Sequence, residues 1–80
     1  MRVLMWEAKG DAGGLVAWWR ESVEPQLPEG AGAELFRSAD RLVALIRLPD
    51  DTGSERPALP EPPQRLCARP PHSWPFETVD

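Results

Sequence analysis

The stretch 33–48, AELFRSADRLVALIRL, is the longest nearly unbroken apolar block in the chain, and its conformation decides the fold. Coiled as a helix, it would gather Leu35, Ala39, Leu42, Val43 and Ile46 on one side, and its Glu, Leu, Arg and Ala residues are good helix formers. Propensity alone leaves helix and hairpin open. Two features favour a pair of strands joined at Ser38-Ala39-Asp40-Arg41. The Gly30-Ala31-Gly32 lead-in suits the start of an extended segment, and Ser-Ala-Asp-Arg suits a tight turn. With strands, Phe36 and the LVALI run build a sheet, one face of which can take the apolar side of a helix.

That helix lies upstream. From about Ala12, the residues Leu15, Trp19, Val23 and Leu27 recur every four positions, with Val16 beside them, while Arg20, Glu21 and Glu24 fall away from the stripe. Trp18 sits at its border. Asp11 is placed to cap the first turn, Gly13 and Gly14 weaken it, and Pro25 should kink or stop the helix near its end. Ahead of it, residues 2–8 alternate as a strand. Val3, Met5 and Glu7 fall on one face; Arg2, Leu4, Trp6 and Ala8 fall on the other. Both faces are mostly apolar, as in a strand covered on both sides.

Downstream of Pro49 the composition shifts. Residues 50–56 read as a polar loop, and seven prolines from Pro57 onward preclude a central strand or a long helix. Pro62-Pro63 can start a short turn through Cys67, and 73–79 can run extended. Leu66, Trp74, Phe76 and Val79 are too apolar for a solvated tail. The chain thus divides into a β-α-β-β core over 1–49 and a Pro-rich segment over 50–80, packed on that core or on a partner subunit.

Eighty residues make one small domain, which buries only about 60% of the surface of its unfolded chain. One cysteine and one histidine allow neither an internal disulfide nor a four-ligand zinc site, so a second subunit is the expected source of stability. The net charge of −4 and the scattered basic residues argue against a nucleic-acid partner. The apolar start is broken at Glu7, and no stretch approaches the ~20 apolar residues of a membrane span. A cytoplasmic protein is expected, and a lone thiol suits a reducing compartment.

The order strand, helix, strand, turn, strand resembles the first part of a ferredoxin-like domain. More narrowly, VLMWEAK, the helix ending in SVEPQL before a glycine, and GAELFRSADRLVALIRL resemble the dimeric α+β barrel superfamily that includes the antibiotic biosynthesis monooxygenases. The C-terminal ARPPHSWPFE is similar to endings of small bacterial proteins of this kind. The resemblance implies an α+β protomer with an antiparallel sheet, a helix on one face and a partner's sheet against the other. Members of that superfamily include cofactor-free oxygenases, haem-degrading enzymes and many proteins of no known activity. The chain departs from the family where chemistry is concerned. It has no asparagine for the Asn-Trp-His set of haem-degrading members and no tyrosine for acid-base work.

The candidate site residues follow. His72 and Trp74 share a face of an extended segment and could line a pocket for a flat aromatic ligand; otherwise Trp74 anchors the tail and His72 solvates the backbone. Glu7 and Arg47 are charges amid apolar neighbours, able to face an intersubunit cavity, to pair with each other or to sit in water at strand ends. Trp6, Trp18 and Trp19 suit packing and interfaces, Trp6 also being a candidate wall of the site. Cys67 reads as a half-buried structural thiol whose pKa Arg65 and Arg69 could lower. No catalytic residue is assigned, His72 being the one candidate, and neither a metal nor a cofactor is expected. Three functions stand side by side: a binding or accessory homodimer for a small apolar ligand or partner enzyme, a cofactor-independent monooxygenase-like enzyme, and, least supported by charge, a nucleic-acid binder.

Overall fold

A computed structural model describes residues 2–49 and 59–79; the loop expected over 50–56 lies outside them. Along the chain come β1 (Arg2–Lys9), α1 (Ala12–Trp18), β2 (Gly32–Ser38), β3 (Arg41–Leu48), a 3-10 turn (Gln64–Leu66) and β4 (His72–Glu77). The strands form one sheet in the order β2-β3-β1-β4, antiparallel throughout, and the fold is α+β.

The deciding stretch is a hairpin. Gly32 pairs with Arg47 and Ser38 with Arg41, leaving Ala39-Asp40 as the turn. Pairing overrides helix propensity because β3 gains a neighbour on each side and buries Leu42, Ala44, Ile46 and Leu48 in one row. Among the described residues only glycines have positive φ, so the turn is not the mirror-image type that Asn-Gly hairpins use. The end of β1 supports it instead. The Gly10 amide donates to the Asp40 carbonyl at 2.8 Å.

Asp11 caps α1, its Oδ1 accepting the Gly14 amide at 3.2 Å. Beyond Trp18 the helix widens into a π turn over Trp19–Val23 and then tightens to 3-10 over Glu24–Gln26. Pro25 is the reason: it has no N–H to donate, and its ring crowds the carbonyl one turn back. Leu15, Trp19 and Val23 are fully buried against Leu4, Trp6 and Ala8 of β1 and the buried row of β3. Leu27 and Trp18 pack at the margin of this core. Trp6 stands between the two helix tryptophans, with ring centroids 5.8 Å from Trp18 and 5.1 Å from Trp19.

Of the Pro-rich segment, residues 59–79 are described, and they run along the sheet edge and the β1–α1 junction. Its edge strand β4 pairs with β1 from Arg2↔Glu77 to Glu7↔His72, and an edge position tolerates Pro75. Residues 66–68 are stitched to the β1–α1 junction. Asp11 donates to the Leu66 carbonyl at 2.9 Å, and Ala68 donates to the Lys9 carbonyl at 2.8 Å. Gly10 bridges Cys67 so closely that a Cβ there would fall 1.9 Å from the Leu66 carbonyl oxygen. A Cβ at Gly14 would fall 2.7 Å from Leu66 Cδ2. The glycine that weakens the first turn of the helix therefore makes room for the side chain packed on it. Among the described residues, no helix is long and apolar enough to cross a membrane.

Candidate functional site

The helix and the 3-10 turn cover one face of the sheet, and among the described residues no element covers the other, open face. By register the open face carries Val3, Met5 and Glu7 of β1, Val43, Leu45 and Arg47 of β3, Phe36 of β2, and His72, Trp74 and Phe76 of β4. The strand alternation that fills the core with one set of apolar residues necessarily turns the other set outward. Phe36, Trp74 and Phe76 are 53%, 44% and 51% exposed, which leaves large aromatic area facing solvent on one continuous surface.

Charge closes this surface at both ends. At the end of the strands away from the β2–β3 turn, Arg47 is ion-paired with Glu34. At the other end, Arg69 grips Glu7 with two parallel bonds, Nη1 to Oε1 at 2.9 Å and Nη2 to Oε2 at 3.0 Å. Arg41 Nε lies 3.4 Å from the same carboxylate, as an ion pair rather than a directed hydrogen bond. Glu7 and Arg47 do not pair with each other, because they stand four residues apart in register, about 13 Å along the strands.

The hydrogen bonds from Arg69 hold Glu7 below the ordinary glutamate value of 4.5, against the opposing push of burial; the charges of Arg69, Arg41 and His72 act in the same direction as those bonds. Glu7 is therefore a firmly ionised anchor. It is a poor general acid and, with two guanidinium groups on it, a poor base as well. His72 lies directly across from Glu7 in the register, and its ring stacks on that of Trp74, centroids 5.9 Å apart and planes within 12°.

Of the candidate residues, the structure thus gathers Glu7, His72 and Trp74 at one end of the open face and puts Arg47 at the far end. Trp6 is on the opposite face, only 4% exposed, because β1 alternates. It belongs to the core and not to this surface. Cys67 is half-buried, as a structural thiol is, and burial pushes its thiol up, the opposite of what Arg65 and Arg69 beside it in sequence could do. Arg69 is instead committed to Glu7. Sequence reasoning misses Arg69 and Arg41 as partners of Glu7. The available signal is only that a carboxylate among apolar residues needs a cation, and the chain offers nine. Among the described residues, no cluster of His, Cys, Asp and Glu is placed to hold a metal ion.

Comparison of the chain with protein-family models, with curated proteins and with solved structures gives no match. The functional reading accordingly rests on the residues of the open face.

Proposed function

We propose that this chain is a cytoplasmic binding or accessory protein that works as a homodimer. Two copies pack their open sheet faces together as a dimeric α+β barrel and hold a small apolar ligand or a partner enzyme. The observation that carries the reading is the exposure of Phe36, Trp74 and Phe76 on one helix-free face, flanked by ion pairs at both ends. An apolar field with a charged rim is the anatomy of a protein–protein contact. The ferredoxin-like assignment is supported by central strands β1 and β3, edges β2 and β4, and a crossover helix on one face, with a 3-10 turn in the place of a second helix.

A binding role fits the chemistry of the face better than catalysis does, because Arg69 and Arg41 hold Glu7, the carboxylate across from His72, in its ionised form as a structural anchor. The second reading, a cofactor-independent monooxygenase-like enzyme acting on an aromatic or polyketide-like molecule, draws on the stacked His72–Trp74 pair. Replacing His72 with alanine and comparing turnover over a panel of aromatic substrates tests it; unchanged turnover removes His72 from any mechanism.

Sedimentation velocity over a hundredfold range of concentration tests the dimer. The wild-type chain should sediment as a dimer at micromolar concentrations, and the double variant Phe36→Glu, Trp74→Glu should sediment as a folded monomer with an unchanged far-ultraviolet spectrum. A wild-type monomer persisting at several hundred micromolar ends the proposal.

A further inference from the structure

The sheet has two outer edges, and they differ. In the β2–β3 hairpin, Ser38 and Arg41 flank a two-residue turn and exchange hydrogen bonds with each other. Bonded and non-bonded pairs alternate from there. Phe36 and Glu34 therefore also bond to β3, while the N–H and C=O of Ala33, Leu35 and Arg37 point away from the sheet. Carried across β3 and β1, the same alternation turns the backbone of Ser73, Pro75 and Glu77 outward on β4. Pro75 has no N–H to offer a further strand, so that edge is blocked at its middle. The β2 edge has no such guard. It holds no proline, its register runs without a bulge, and every residue but Leu35 is exposed. Among the described residues, no strand pairs with its outer side.

An unguarded edge is a template for another strand. We propose that the β2 edge is completed by β2 of a second copy, antiparallel and centred on Leu35, so that two sheets join into one. Symmetry and charge select this occupant. Identical antiparallel strands meet about a dyad perpendicular to the sheet, and residues opposite each other share a face. Centred on Leu35, the register sets Leu35 against Leu35 and Ala33 against Arg37, which uses every outward N–H and C=O of that stretch. Glu34 then falls opposite Phe36, and no like charges meet directly. A register centred on Glu34 would set two carboxylates against each other. Pro75 counts against the other arrangement, β2 of one copy on β4 of the next, a head-to-tail contact that runs on into a fibre. The helix side of β2 leaves room. A groove of about 470 Å³ lies between the strand and the end of the helix, with Leu27, Ala31, Ala33 and Leu35 along it and Arg20 and Glu24 at it, and it takes the side chains that the added strand turns that way.

This contact runs along the rim of the sheet and is separate from the face-to-face dimer of the proposed function. Trp74→Glu, on β4, breaks the face contact and leaves the β2 edge intact. Phe36→Glu, by contrast, sets a carboxylate opposite Glu34 of the second copy and breaks both contacts. In sedimentation velocity, the full Trp74→Glu chain should therefore still dimerise as its concentration rises. Adding Ala33→Pro should weaken that association about thirtyfold, the effect of two net hydrogen bonds lost per pair. The fold should survive, with an unchanged far-ultraviolet spectrum, because the amide removed points outward and the bonds to β3 remain. Amide hydrogen exchange by NMR gives an arm with no substitution in β2. In Trp74→Glu, the amides of Ala33, Leu35 and Arg37 should exchange at least tenfold more slowly in the concentrated sample than in the dilute one, whereas those of Glu34 and Phe36 should be protected in both. The inference is overturned if Trp74→Glu stays monomeric at several hundred micromolar, if folded Ala33→Pro associates as its parent does, or if the outward amides ignore concentration. Failure of the face-to-face reading looks different: wild type and Trp74→Glu would then associate equally.

Discussion

Leu45 and Ile46 are neighbours in β3 with opposite surroundings. Ile46 is fully buried beneath the helix, whereas Leu45 is half-buried on the open face, between Met5 and Glu34 in the register. The same contrast runs through the whole sheet. Its covered face is aliphatic apart from the tryptophan cluster, and helix and strands close over it. Its open face is comparably apolar along β1 and β3 but brings its aromatic residues in on the edge strands, and it ends in carboxylate–guanidinium pairs. A face needed only for folding has no use for exposed phenylalanines. The composition of the open face makes sense if something covers it.

The pair supplies the sharpest test of that contrast. Ile46→Ala should cost about 2–5 kcal/mol, the usual range for a buried aliphatic truncation, at every protein concentration. Leu45→Ala should cost under about 1 kcal/mol in the dilute monomer and more where the dimer forms, because stability then includes association. Urea denaturation at two widely separated concentrations separates these outcomes. A Leu45→Ala cost independent of concentration would leave the open face open.

The next contrast concerns the glycines around the β1–α1 junction. A Cβ at Gly10, where φ is +155°, collides with the Leu66 carbonyl, whereas at Gly13 the nearest foreign atom is Asp11 Oδ1 at 3.9 Å. Gly10→Ala should destabilise by about 2 kcal/mol or more and release β4, since residues 66–68 are docked there. Gly13→Ala should stabilise by about 0.4–1 kcal/mol through the unfolded chain. Thermal denaturation gives the signs, and hydrogen exchange in β4 tells whether the docking is lost. If both variants melt alike, the Gly10–Cys67 contact does not organise the C-terminal segment.

These elements mark how far the amino-acid order can be read. The helix is legible because Leu15, Trp19 and Val23 recur every four residues, and β1 because its residues alternate. The hairpin is legible only through burial, as its propensities are balanced. The half of the candidate site that lies on β4 is legible as a shared face of His72 and Trp74. The other half is not, because it is assembled by distance. Arg69 reaches Glu7 across 62 residues, carried there by a backbone bridge whose only local trace is the absence of a side chain at Gly10. For Trp6 the sequence leaves packing and a wall of the site both open, and the structure puts it in the core. Alternation says which residues share a face, but it does not say which face the helix will cover.

The smallest effect concerns the charged end of the open face. Arg69 holds Glu7 below 4.5, so the folded chain binds that proton less readily than the unfolded chain does. The resulting stabilisation is complete above the unfolded value and is lost as the pH falls through the lowered folded one. Unfolding free energy should therefore drop on acidification below about pH 4.5, and Glu7→Gln should flatten the drop while running parallel to wild type above it. Salt adds the link to the open face. The Glu7, Arg69 and Arg41 side chains are 13%, 38% and 43% exposed in the single chain, so added salt should weaken the interaction there. In a dimer that covers this end, the same pair is shielded from solvent, and its contribution should resist salt. The acid slope of wild type relative to Glu7→Gln, measured at low and high salt on either side of the dissociation constant, therefore reports whether a partner sits over Glu7. A salt-sensitive slope at high protein concentration would place the contact at the other end of the strands, toward Arg47 and Phe76.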